Sequence, residues 1–271
     1  MKKIIIFSTM LIGLSSCFTE RIEVNLNDNN KRLVVEAWIT DLDERQFVKL
    51  TNTINYIGEQ ETDFVSGAIV ELSDANQSYT LNEETTGFYF LPDTWQAQIG
   101  DTYTLVINHE DTEYIASYTM NICPEIENLV IEVVGNIEKT DSIFIYKTVF
   151  AFQEIAGKGN AYFGVDYLKG TTAGDSLLNG GFTDDEFLDG QFIEDITLTE
   201  RDRLYQIGDT AVVDIFSIDD ETFLFLNDIQ TETFRGGPFD APPANIRTNI
   251  SGGAVGYFII SGAKRKEIVV Q

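Results

Sequence analysis

The chain has 271 residues, with 18 Lys and Arg against 44 Asp and Glu, a formal charge of −26. That balance excludes nucleic acid as a partner, because phosphate binding needs a basic surface that releases counterions, and it leaves any membrane attachment to something other than a basic face. An aromatic content of 12% beside abundant Val, Ile and Thr favours β structure with a sizeable core.

The chain opens on a processing signal. Lys2 and Lys3 precede an apolar run from Ile4 to Leu14, which two serines carry into Cys17 ("LIGLSSC", 11–17). The run is shorter than the roughly 20 apolar residues a membrane helix needs, so it reads as an export signal. Leu14-Ser15-Ser16-Cys17 resembles the bacterial lipobox, which implies cleavage before Cys17 and acylation of its thiol and new amino terminus. Residues 1–16 are therefore expected to be a signal peptide, leaving 255 residues with a charge of −28 once Lys2 and Lys3 are gone. Acyl chains are then the membrane attachment, and two or more give stable anchoring. With Cys17 acylated, Cys123 has no partner for an internal disulfide, and stability rests on apolar burial.

Residues 17–30 are polar, acidic and rich in Asn; they read as a tether, although "IEVNL" (22–26) equally fits an edge strand. Seven short runs follow: "RLVVEAWIT" (32–40), "QFVKLT" (46–51), "GAIVELSD" (67–74), "SYTLNEE" (78–84), "GFYFL" (87–91), "TYTLVIN" (102–108) and "EYIASYTM" (113–120). Alternating apolar residues between Asp, Asn and Gly turns predict an immunoglobulin-like antiparallel β-sandwich over 31–122. Cys123-Pro124 interrupts the rhythm, and a domain boundary is placed there.

The second half, 123–271, is expected to be a further β-rich domain. Its strand runs are "LVIEVVG" (129–135), "SIFIYKTVFAFQ" (142–153), "NAYFGVDYL" (160–168), "QFIEDITLT" (191–199), "DTAVVDIFSI" (209–218), "VGYFIISGA" (255–263) and "KEIVV" (266–270). One helix is predicted near 219–234, where Asp219, Asp220 and Glu221 suit a first turn and Phe223, Leu226, Ile229 and Gln230 fall at helical spacing.

Few residues offer catalytic chemistry. His109, the single histidine, sits in the turn-like "NHEDTE", where a solvated role outweighs a triad. Cys123 has no local signature of activation, and the His and Cys ligands for a zinc site are too few. The densest acidic segment, "GFTDDEFLDGQFIED" (181–195), fails as an EF-hand because Phe187 and Ile196 fall at ligand positions, but Asp184, Asp185 and Asp189 remain candidates for an irregular calcium site. A carboxylate pair for glycoside hydrolysis is allowed by composition and unsupported by spacing. The Gly-Gly pairs lack the setting of a nucleotide loop. The strand aromatics read as packing residues, with outward ones a possible ligand platform.

"VVEAWITD" (34–41), the acidic "FTDDEFLDG" (182–190), "PPANI" leading to a second "NI" (242–250) and "GYF" (256–258), together with the lipobox cysteine, follow one another in an informative order. In that order they resemble a Bacteroidota surface-lipoprotein family catalogued as domain of unknown function 4249. The chain is short for that family, as though an insert in the second half were missing. The resemblance implies an outer-membrane location and a gene beside a TonB-dependent receptor; it implies no catalytic residue. The proline-rich stretch should run extended over the surface, either as a ligand- or partner-facing rim (Pro242, Pro243, Asn245, Asn249) or as a plain connection to the last hairpin.

The sequence thus predicts a mainly β, non-enzymatic outer-membrane lipoprotein, without a cofactor unless calcium binds. It would assist or capture substrate for a TonB-dependent receptor, chiefly through its second half. A calcium- or carboxylate-dependent surface hydrolase and a structural or adhesive envelope module are the alternatives.

Overall fold

The computed structural model describes residues 31–54, 61–136, 144–171, 180–198, 203–205, 207–234 and 244–271, and of 134–136, 144–145 and 203–205 the backbone alone. The first half contributes β1 (Leu33–Thr40), β2 (Phe47–Asn52), β3 (Ile69–Ser73), β4 (Ser78–Thr80), β5 (Asn82–Thr85), β6 (Phe88–Phe90), β7 (Thr102–His109) and β8 (Thr112–Thr119). The second contributes β9 (Glu127–Asn136), β10 (Phe144–Gln153), β11 (Asn160–Leu168), β12 (Gly181–Asp184), β13 (Phe192–Ile196), β14 (Arg203–Tyr205), β15 (Thr210–Asp219), helix α1 (Asp220–Thr233), β16 (Val255–Ser261) and β17 (Ala263–Val269). The protein is mainly β with one helix among the described residues.

Alternation in sequence becomes layering in space. Leu33, Val35, Ala37 and Ile39 of β1 point inward and are buried, as are Val48 and Leu50 of β2. They face Val70, Leu72, Leu105, Ile107, Ala116 and Tyr118 from the opposing sheet. The two sheets have orders β16-β1-β2-β6-β5 and β4-β3-β7-β8. Leu81, buried between β4 and β5, donates its N–H to the Val70 carbonyl at 2.8 Å, so the expected run 78–84 changes sheets at that residue.

A third sheet, β12-β11-β15-β17, covers part of the outer face of the first. Trp38 of β1 meets Phe163 and Phe216 there, at ring-centroid distances of 5.1 and 5.4 Å. Strands β11 and β15 are buried on both faces, which explains their near-continuous apolar sequences. Their other face packs Tyr162, Val213 and Ile215 against Phe150, Phe152, Cys123 and Ile126, so β9, β10, β13 and β14 form a fourth layer. Asp219 caps α1, its side chain accepting from the Thr222 N–H at 2.8 Å. The helix buries Thr222, Phe225 and Leu226, and Phe225 stacks on Tyr257 of β16 at 4.3 Å.

Two expectations require correction. Strand pairing crosses the boundary placed at Cys123: β16 lies beside β1, and one core cluster runs from Leu33 through Phe163 and Leu226 to Ile260. The first sheet is also not wholly antiparallel, because β1 and β16 pair in parallel from Val34↔Val255 to Thr40↔Ser261. The chain re-enters the first sheet after α1, in the direction that allows Phe258 and Ile260 to extend the buried face. Strands β12 and β14 were not anticipated; β12 occupies the start of the acidic segment.

Candidate functional site

The segment before β16 closes the sandwich at its two exposed edges. The Asn249 side chain donates to the Phe258 carbonyl at 2.7 Å and accepts from the Phe258 N–H at 2.9 Å, in the manner of a neighbouring strand. Two residues on, the Ser251 N–H donates to the Ile115 carbonyl and its hydroxyl accepts from the Ile115 N–H, both at 2.9 Å. Asn249 therefore holds the edge of β16 and Ser251 the edge of β8. Upstream, Arg247 pairs with Asp228 of α1 at 2.8 Å, and that guanidinium holds the Asp228 carboxyl below its ordinary range. Asn249, set on a ligand- or partner-facing rim by the sequence, has both its amide oxygen and its amide nitrogen bonded to backbone. Asn245 is exposed, and Pro242 and Pro243 lie outside the described residues, as does Cys17.

The structure does bring Asp184, Asp185 and Asp189 together in one loop. Their oxygens face protein donors: Asp185 accepts from the Asn160 N–H at 3.1 Å, Asp189 from the Gly157 N–H at 2.8 Å, and Asp184 from the Glu186 N–H at 3.4 Å. Buried Glu154 ties the loop down from beneath, accepting from the Tyr162 hydroxyl at 2.9 Å and from the Gly190 N–H. Asp220 stands close by; partial burial, then the charges of Asp185, Asp219 and Asp184, push its carboxyl upward. Among the described residues no group of three or more His, Cys, Asp and Glu side chains is arranged to hold a metal ion. The arrangement fixes a loop in a strongly negative field.

Cys123 is buried, and that burial pushes its thiol far above the ordinary range, which disfavours the thiolate form. His109 ends β7 at the hairpin with β8, as the sequence predicts.

The exposed apolar surface with the most internal order lies on the outer face of the first sheet, beyond the part that the third sheet covers. Phe47 and Phe90 are direct partners across β2 and β6, as are Lys49 and Phe88, so these side chains share one face. Rings run from Phe64 to Phe88, Phe47 and Phe90 in steps of 5.7, 5.5 and 5.6 Å. Phe47 is 39% and Phe64 38% exposed, values high for rings in a packed cluster. The Arg45 guanidinium lies over the Phe90 ring at 4.5 Å while paired with Glu84 at 2.6 Å and Asp93 at 3.1 Å. Lys49 pairs with Glu36 at 2.8 Å. The sequence carries the signal for this stripe: the alternation that buries Val48, Leu50 and Tyr89 turns Phe47, Phe88 and Phe90 outward.

Among the described residues no helix is long and apolar enough to cross a membrane. A search of curated proteins finds no match. The profile of the family described as "Domain of unknown function (DUF4249)" matches residues 19–267, nearly the whole chain, and the chain belongs to that family.

Proposed function

From that membership, we propose that the protein is a non-enzymatic outer-membrane lipoprotein that serves a TonB-dependent transporter, capturing its substrate or docking on it. The observation that carries this reading is the apolar run closing on Leu14-Ser15-Ser16-Cys17, which supplies a lipid anchor separated by thirteen residues from the first described residue. The family resemblance supports the partner, because its members are expected to be encoded beside such receptors. Anchoring two proteins in one membrane raises their effective concentration, so a modest interface suffices for a stable complex.

The test uses the intact lipoprotein, since deleting the second half would remove β16 from the first sheet. Wild type and Cys17→Ala are purified from membranes in mild detergent and probed for the TonB-dependent receptor encoded beside the gene. Wild type is expected to retain the receptor and Cys17→Ala to lose most of it. Absence of the receptor from the wild-type preparation would refute the reading.

A further inference from the structure

We propose that the aromatic stripe Phe64–Phe88–Phe47–Phe90 is the face that the protein lays against a zwitterionic lipid surface, an inference that rests on the lipid anchor read at Cys17. The first argument is position. Thirteen residues separate Cys17 from Lys31, so fully extended chain spans at most about 50 Å between membrane and body. That chain enters the body at Lys31, whose ammonium pairs with Asp63 at 2.7 Å, and the next residue is Phe64, the first ring of the stripe. The stripe begins where the anchor pulls.

The second argument is charge. In a chain of −26, most of the surface repels anionic lipid and acidic proteins alike. Around the stripe, cations and anions come nearly in pairs: Lys31 with Asp63, Lys49 with Glu36, and Arg45 with Glu84 and Asp93. Long-range repulsion is thus partly offset where the rings are exposed. The surplus is slightly negative, and the side chains of Glu36, Glu84 and Asp93 are 54%, 46% and 79% exposed. The one surplus carboxylate and the exposed rings of Phe47 and Phe64, away from the Phe90 face that Arg45 covers, suit ammonium groups, which are drawn both to carboxylates and to ring quadrupoles. The headgroups of phosphatidylcholine and phosphatidylethanolamine present such ammonium groups outward, whereas anionic headgroups add like charge. Successive rings are tilted to one another by 39°, 54° and 49° and form a short ridge one side chain deep on the sheet, which fits contact at headgroup level and not deep insertion.

The experiment reconstitutes the full acylated protein into phosphatidylcholine–phosphatidylethanolamine vesicles containing phosphatidylcholine spin-labelled at its headgroup. Phe88→Trp, read as the emission added over the wild type with its native Trp38 and Trp95, reports on the stripe. Phe187→Trp reports on a position 79% exposed in the acidic loop of the second half. Near-native circular dichroism qualifies both variants. The Phe88→Trp emission is expected to fall by about half relative to label-free vesicles, as befits an aromatic at the interface, with Phe187→Trp unaffected. Replacing a third of the lipid by phosphatidylglycerol should diminish the quenching. Equal quenching of both reporters, or none at Phe88→Trp in protein that floats with the vesicles, overturns the inference and leaves the anchor intact. Protection of Phe88→Trp only when a receptor is co-reconstituted also overturns it, in favour of a protein occupant. Protein that fails to float refutes the anchor and, with it, this inference.

Discussion

Gly256 lies opposite Val35 in the parallel pair with φ +95°, and a Cβ there would stand 2.0 Å from the Val35 carbonyl oxygen. Neither backbone can yield without breaking the ladder that joins the two ends of the chain. Gly256→Ala is expected to cost about 3 kcal/mol or more, combining a left-handed φ with a main-chain clash. A shift of less than a third of that in a urea titration would show that β16 is not held this way. Six tyrosines, Tyr89, Tyr103, Tyr118, Tyr162, Tyr167 and Tyr257, form a second single-residue theme. Burial is the leading cause that pushes each phenol upward, Tyr257 to about 12. Unfolded chain ionises its tyrosines near pH 10, as ordinary phenols do, whereas folded chain keeps them neutral. The stabilisation is therefore complete below about pH 10 and is lost as pH rises through the folded values. Denaturant midpoints should be flat through mildly alkaline pH and fall steeply above about pH 10, with phenolate absorbance rising on unfolding. Of the eleven tyrosines these six should stay protonated in the folded protein, so folded-state phenolate near the ordinary pH amounting to more than the other five can supply would contradict the burial argument.

Among elements, the segment 244–254 has the largest structural consequence for its length, since it joins α1, β8 and β16. Asn249→Ala would leave the Phe258 N–H and carbonyl without their side-chain partner, a change worth about 1–3 kcal/mol. Faster amide exchange should appear at Phe258 first, with Ile115 following if Asn249 and Ser251 act as one strap. Unchanged exchange at Phe258 would show that water replaces the side chain without loss. This element also marks the limit of what was legible in the sequence. Strand alternation revealed both faces of β1 and β2, and the acids at 219–221 marked the helix start, although β15 runs straight into the cap with no intervening loop. The parallel partner of β1 was not legible, because "VGYFIIS" carries its apolar pattern without saying which strand it meets. Nor was the role of Asn249: the sequence sets it on a ligand- or partner-facing rim, and only the edge of β16 makes it a strand surrogate. The acidic loop was legible as a cluster, but its donors, the N–H groups of Gly157 and Asn160, come from another part of the chain. The aromatic stripe was legible in type, since "QFVKLT" and "GFYFL" each turn phenylalanines outward, yet its continuity with Phe64 required the Thr51–Phe64 bridge.

At the scale of the whole molecule, four stacked sheets share buried strands, so the halves support one another. Arg265 illustrates the coupling: it is bidentate to buried Asp214 at 2.7 Å on both arms and reaches Glu44 of the first half at 3.3 Å. Such a body has no need of a disulfide, and its acidic surface keeps it from associating indiscriminately with other acidic proteins. What gives it a place in the cell, on this account, is the acyl anchor at Cys17, from which the proximity to a receptor and the orientation of the stripe both follow. The most direct measurement is palmitate labelling with detergent-phase partitioning of wild type and Cys17→Ala expressed at equal levels. Wild type should be labelled and enter the detergent phase, and Cys17→Ala should be unlabelled and either released or retained as an unprocessed precursor. A labelled Cys17→Ala variant that still enters the detergent phase at its processed size would contradict the account.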